Sequence, residues 1–334
     1  MSMSNPDDSV PPVEVETHYY AGTTNFEQSL DVYSPSAPSN LPLVVIVVGS
    51  AWTGHRAFIY RFCSWWNSSA PAAIAHTGCV CVCIRHRGAF VRPPPLWILV
   101  VVIELLIICA AQLETIVVTA LLMIALLGLA LFPLSRGAAT YDDMLDDVSR
   151  ALAWVRTNRD RLVAPSQRLV FGGYSSGAHV ASTLLTRPDV LAARGVPAPK
   201  QWCDGVILLS GVLGVRPGAP LSTSASWAAG LPGLIVRNVF GKEAAASLPS
   251  PVHMISQQLP LPHLLIYCEH EVFNLQPIER AMGVMFCSEM YGAALKARGV
   301  DALMLPVQSD HWAVLNSKGF ASALHTAFRE RRWP

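Results

Sequence analysis

One short run constrains this chain more than any other: Gly173-Tyr174-Ser175-Ser176-Gly177, a G-x-S-x-G pattern. An apolar, strand-like stretch, Arg168-Leu169-Val170-Phe171, leads into it, and a helix-like stretch, Ala178-His179-Val180-Ala181, leads out. A serine squeezed into a sharp strand-to-helix turn needs neighbours with almost no side chain, and Gly173 and Gly177 meet that need. The Ser175 hydroxyl then projects at the top of a sheet. At ordinary glycine and serine usage the bare pattern arises by chance in roughly one chain in ten of this length. Its weight therefore depends on what surrounds it.

The surroundings alternate strand and helix. Leu43-Val44-Val45-Ile46-Val47-Val48 is continuously apolar and β-branched, the pattern of a parallel strand covered on both faces. Cys79–Ile84 reads as a second such strand, and further strands are predicted at Leu169–Gly173, Val206–Ser210, Leu264–Tyr267 and Ala302–Pro306. Shorter β segments are predicted at Glu16–Ala21 and Gln28–Tyr33, and an aromatic-rich helix after Trp52. Tyr141–Asn158 reads as an amphipathic helix with Asp142, Asp143, Asp146 and Asp147 in its first turns, where acids suit the helix dipole. A catalytic pair among these aspartates is the sharper reading and solvated helix-start acids the better one. Helices are also predicted around Met282–Ala297 and Ala321–Arg329. Together these predict an α/β fold with a doubly wound, mostly parallel sheet. Residues 1–15 read as a loose tail, 16–334 as one domain, and 212–262, rich in Pro, Gly and Ser, as a cap or loop region.

Composition matters because of one insertion. Hydrophobic residues make up 52% of the 334 and charged ones only 14%, well below the roughly 25% charged of soluble domains. Residues 96–134 carry Glu104 and Glu114 and no basic residue. Split at Gln112–Thr115, they form two arms of roughly 16 and 18 residues, roughly 24 to 27 Å as helices, a little short of a hydrocarbon core of roughly 30 Å. Flanking elements belong to one domain, so an apolar helical hairpin over 94–137 must leave and return on one side. Arg85, Arg87, Arg92 and Arg136 flank it, which favours the cytosolic side. A buried soluble hairpin and a lipase-like lid are the alternatives.

Other classes find little support. Net charge is +1 with no basic stripe, which argues against a nucleic-acid partner. The eight cysteines include no C-x-x-C pair. Cys79, Cys81 and Cys83 share one strand face, too far apart for neighbouring disulfides, and read as small buried hydrophobes in a reducing compartment. The first residues lack the basic and apolar regions of a signal peptide.

A serine in such a turn is followed in chain order by an acid and then a histidine on loops after later strands. Only His311 and His325 lie late enough, and His325 falls inside a predicted helix, so His311 is the candidate base. His179, one turn after Ser175, reads as a packed histidine. Glu269 and Glu271 follow the Leu264–Tyr267 strand, and Glu271 is the favoured acid over Glu269 and Asp310.

With these residues in place, the chain resembles the α/β-hydrolases of the carboxylesterase/lipase superfamily. It looks close to the isoprenylcysteine-methylesterase-like and hormone-sensitive-lipase-like branches. The stretches that carry the resemblance are LDVYSP (30–35), VGSAW (48–52), GYSSGAHV (173–180), YCEHEVF (267–273) and SDHWAVLNS (309–317). Only the hairpin and the 212–262 region lie outside it. The resemblance implies the α/β-hydrolase fold and an acid in a Gly-x-x-Asp pattern, where Cys268 takes the Gly place and Glu271 the Asp place. It implies an oxyanion hole after the third strand, where relatives carry H-G-G-x-W. Here Val48 replaces the histidine and Ser50 the second glycine, so the backbone N–H groups of Ser50, Ala51 and Ser176 are expected to serve.

The function expected is hydrolysis of a lipophilic carboxylic ester or thioester through an acyl-enzyme on Ser175, with no metal or organic cofactor. Membrane lipid is the partner expected for 96–134, and the catalytic domain is expected to face the cytosol. A membrane-anchored, catalytically inactive homologue that binds lipid or serves as a scaffold is the alternative, because the hole motif is altered.

Overall fold

Alternate residues of a strand point to opposite faces, so a fully apolar strand must be covered on both. The computed structural model, which describes residues 12–36, 39–50, 52, 68–88, 139–215, 251–255, 260–270, 284–285, 287–311 and 313–334, shows how this is done. Its strands are β1 (Val13–Tyr19), β2 (Ser29–Pro35), β3 (Leu43–Val47), β4 (Cys81–Ile84), β5 (Leu169–Tyr174), β6 (Gly205–Leu209), β7 (Gly214–Val215), β8 (His263–His270), β9 (Val284–Met285) and β10 (Ala302–Asp310). The principal helices are α1 (Ser69–His76), α2 (Tyr141–Thr157), α3 (Ser176–Leu185), α4 (Ser288–Lys296) and α5 (Lys318–His325).

Eight strands form one sheet in the order β1-β2-β4-β3-β5-β6-β8-β10, and β7 and β9 make a small separate pair. β1 and β2 are antiparallel and β2 runs antiparallel to β4. From β4 to β10 every neighbour is parallel. Leu43, Val45, Val47, Leu169 and Phe171 pack on the face covered by α2, α3 and α4. Val44, Ile46, Cys81, Cys83 and Val170 pack on the other, against Ile74 of α1 and Phe320 and Leu324 of α5. The expected doubly wound, mostly parallel sheet is present. Cys79, Cys81 and Cys83 lie buried in one core layer.

Several boundaries differ from expectation. β1 begins at Val13, inside the stretch read as tail, because pairing of Val13–Tyr19 with β2 fixes a strand whose own residues are mostly exposed. β8 and β10 run on past Tyr267 and Pro306 through polar residues. Parallel pairing carries them, with an irregularity between Val307 and Asp310. The helix expected from Met282 starts at Ser288, behind β9, and α5 starts at Lys318 and passes into a π turn at Thr326–Glu330. α1 was not anticipated, and the aromatic-rich helix expected after Trp52 lies outside the described residues. The ends of the 212–262 region are core rather than loose loop. Val212, Leu213, Val252 and Ile255 are buried, and Val252 N–H donates to the Leu213 carbonyl at 2.9 Å. The middle of that region lies outside the described residues.

The apolar hairpin at 94–137 also lies outside them. Among the described residues no helix is long and apolar enough to cross a membrane. The chain on either side of the insertion does meet: Ala139 N–H donates to the Gly88 carbonyl at 3.1 Å. Thr140 then caps α2 with a full capping box to Asp143.

The arginines before the insertion are not free flanking charges. Arg85 is buried and pairs with Asp31, donates to Ser29 Oγ at 2.6 Å and lies 4.2 Å from the Phe26 ring centre. Arg87 binds Asp147 through Nε at 2.8 Å and Nη2 at 2.9 Å. Asp147 is therefore no solvated helix-start acid. It is wholly buried, because it is the α2 acid that faces the sheet, and it also accepts from Gln28 at 2.8 Å.

Candidate active site

The C-terminal ends of the parallel strands lie along one edge of the sheet, where open α/β sheets place their ligands. Three sequence-predicted segments meet there: the loop after β3, the turn between β5 and α3, and the turn after β10.

Ser175 sits at φ 53°, ψ −124°, a conformation that side chains normally avoid and that persists only when its surroundings over-determine it. Here they do. Its N–H donates to Leu209 O at 3.0 Å, and its carbonyl accepts from Ala178 N at 3.1 Å and Val212 N at 3.2 Å. The flanking glycines allow the close crossing. A Cβ on Gly177 would overlap the Val47 carbonyl, and one on Gly173 would lie 2.5 Å from the Gly177 backbone.

His311 lies in the turn after β10, 3% exposed, with Nε2 3.0 Å from Ser175 Oγ. That is hydrogen-bond reach for proton transfer from the hydroxyl. Two strands, β6 and β8, lie between β5 and β10. Only the sheet brings these residues together.

For the acid, Glu269 is exposed, and Glu271 and the Asp310 side chain lie outside the described residues. Glu271 follows His270, whose Cα pairs with that of Asp310, the residue before His311.

In the loop after β3, Ser50 N–H donates to Ser176 Oγ at 2.9 Å, and Trp52 N–H to the same oxygen at 3.3 Å. The Ser50 amide, expected to face an oxyanion, is thus engaged by a neighbouring hydroxyl. Ala51 lies outside the described residues. Ser176 N–H belongs to the first turn of α3, where backbone donors lack intrahelical partners. Trp52 has φ 60° and is buried with its ring edge-on to His179, 5.3 Å between centroids. His179 is fully buried, as expected of a packed histidine, and its Nδ1 is 2.8 Å from the Tyr141 hydroxyl. Burial raises the Tyr141 pKa above the ordinary tyrosine range, so the phenol stays neutral.

Sequence reasoning missed Tyr174. Its ring stacks on His311, centroids 5.1 Å apart and 19° from parallel, and its hydroxyl donates to the His311 carbonyl at 2.6 Å. An aromatic beside the serine was the available signal, but its partner lies far away in the chain.

No protein-family model matches the chain, and no curated protein does. Solved structures match its fold. A truncated carbohydrate esterase from gut microbiota aligns with TM-score 0.61 at 15% identity, covering 96% of this chain and 97% of that one. An esterase of Pyrobaculum calidifontis aligns at 0.53 and 17% identity, over 94% of this chain and 83% of that one. Brefeldin A esterase, a bacterial homologue of human hormone-sensitive lipase, aligns at 0.54 and 17%, over 99% and 78%. The chain has the α/β-hydrolase fold that these structures share.

Proposed function

We propose that the protein is a serine hydrolase that cleaves a carboxylic ester or thioester. The observation that carries this reading is Ser175 on its strained turn with His311 Nε2 at 3.0 Å. The esterases that share the fold add support. His311 takes the Ser175 proton as the hydroxyl attacks the carbonyl carbon, and the developing oxyanion is held by backbone N–H groups. Ser176 and Ala51 are the candidate donors, with Ser50 once its amide leaves the Ser176 hydroxyl. His311 then protonates the departing alcohol or thiol, and water repeats the cycle on the acyl-enzyme. Glu271 is the proposed acid that orients the imidazole. A fluorophosphonate probe tests the reading: wild type should label and Ser175→Ala should not.

One observation favours a second reading. The Ser50 amide donates to Ser176 rather than standing open, which fits a non-catalytic, lipid-binding or scaffold homologue. An unreactive wild type in the probe experiment would select it.

The substrate and setting are also proposals. The insertion leaves and returns at Gly88 and Ala139, just beyond β4, on the sheet edge that carries Ser175. Residues 96–134 are apolar enough to enter a bilayer. A lipophilic substrate would then reach Ser175 from the membrane, with the catalytic domain on the cytosolic side; Arg92 and Arg136 support that orientation, since Arg85 and Arg87 are paired with Asp31 and Asp147. Carbonate extraction tests the anchoring, which a soluble lid would not survive. Deleting 94–137 should spare a short soluble ester and depress turnover of a long-chain one; equal loss on both would count against the reading.

A further inference from the structure

We propose that Tyr174 is the positioning residue for His311, tying the base to the same stretch of backbone that carries the nucleophile. The inference rests on the Ser175–His311 reading and extends it.

The need for such a tie comes from the strand that carries His311. The β8–β10 ladder is regular from Ala302 to Val307 and then shifts register before Asp310. His311 lies beyond that irregularity, in a turn, so the ladder leading to it does not set its height over the sheet. Yet Nε2 must stay within hydrogen-bond reach of Ser175 Oγ, and a misplacement of about 1 Å costs on the order of a hundredfold in rate.

Tyr174 supplies what the ladder does not. It is the last residue of β5, a central strand, and is 2% exposed. Its hydroxyl donates to the His311 carbonyl at 2.6 Å, which fixes the main chain of the turn. Its ring lies nearly parallel to the imidazole, 19° between planes with centroids 5.1 Å apart, which restricts rotation of the imidazole about Cβ–Cγ. One contact sets position and the other orientation. Because Tyr174 precedes Ser175 directly, a displacement of the β5 end moves base and nucleophile together. The residue between glycine and serine in this G-x-S-x-G run thus has an assigned task, and His311 is held from the Ser175 side as well as by whatever acid faces it.

Two substitutions separate the contacts. Tyr174→Phe keeps the ring and removes the hydroxyl; Tyr174→Leu removes both. The rate of fluorophosphonate labelling per folded molecule, kcat and KM for a short ester, and Tm are measured for each, together with the imidazole proton shifts of His311 by NMR in the full chain. Tyr174→Phe should lower kcat and the labelling rate about tenfold and Tyr174→Leu about a hundredfold, with KM within about twofold in both. The His311 ring protons should carry an upfield ring-current shift in wild type and Tyr174→Phe that is lost in Tyr174→Leu. A purely structural Tyr174 would lower Tm while leaving the labelling rate per folded molecule unchanged, and that result overturns the inference. A wild type that never labels instead defeats the proposed hydrolase. The NMR comparison then decides the positioning claim alone, and identical His311 shifts in all three proteins overturn it.

Discussion

Ser175, Ser176 and Gly177 are three consecutive residues with three different physical jobs. Ser175 takes the strained turn, Ser176 gathers the amides of Ser50 and Trp52 onto one oxygen, and Gly177 passes under the Val47 carbonyl. Replacing Gly177 by Ala forces a Cβ against backbone that cannot yield, so a loss of about 3 kcal/mol or more is expected in urea unfolding. Ser176→Ala removes the hydroxyl that accepts from the Ser50 and Trp52 amides, at a site where Trp52 is buried. A loss of roughly 1–3 kcal/mol should follow in the same measurement. The need for glycine beside the serine was legible in sequence. The second serine's role was not, because its partners lie in a different loop and nothing local distinguishes Ser176 from an ordinary first-turn residue.

At the scale of elements, α2 shows where local pattern ends. Its start, its amphipathic face and its acidic first turns follow from the sequence, and the capping box from Thr140 to Asp143 anchors it. Which of its four acids is buried depends on what the helix packs against. Asp147 lies on the buried face and accepts from the Arg87 side chain, from Arg87 N–H at 3.0 Å and from Gln28. Asp147→Ala should cost about 3 kcal/mol, toward the low end for breaking a buried ion pair because Arg87 keeps a third of its side chain in water. Asp142→Ala, at the exposed start of the same helix, should change stability by less than about 0.5 kcal/mol. Equal urea midpoints for the two variants would refute the distinction. The same tertiary choice pairs Arg85 with Asp31 and Arg87 with Asp147, a fact invisible in a count of basic flanks.

The whole molecule adds a dependence on pH. His263 is 3% exposed at the start of β8, and burial pushes its imidazole down to about 4. His86, fully buried after β4, is shifted downward for the same reason. An unfolded histidine titrates near 6.5, so between about pH 6.5 and 4 the unfolded chain binds more protons than the native one. The stability these histidines contribute is thus fully present above about pH 6.5 and declines as pH falls toward 4. His263 alone should remove about 2 kcal/mol by about pH 5. Urea midpoints at about pH 7 and about pH 5 should separate in wild type and draw closer in His263→Gln; an unchanged separation would refute the assignment.

The sequence by itself determined the alternation of strands and helices, the buried parallel strands, the strand-turn-helix around Ser175 and the choice of His311 as its candidate partner. All of these depend on local periodicity, on turn chemistry or on order along the chain. Tertiary structure decided what depends on neighbours distant in sequence: the strand order that carries His311 across the sheet to Ser175, the commitment of Arg85 and Arg87 to Asp31 and Asp147, the Ser176 hydroxyl beneath the loop after β3, and the Tyr174 ring against the imidazole. Contacts between separated segments leave no periodic trace in either one. Only folding the sheet brings them within reach.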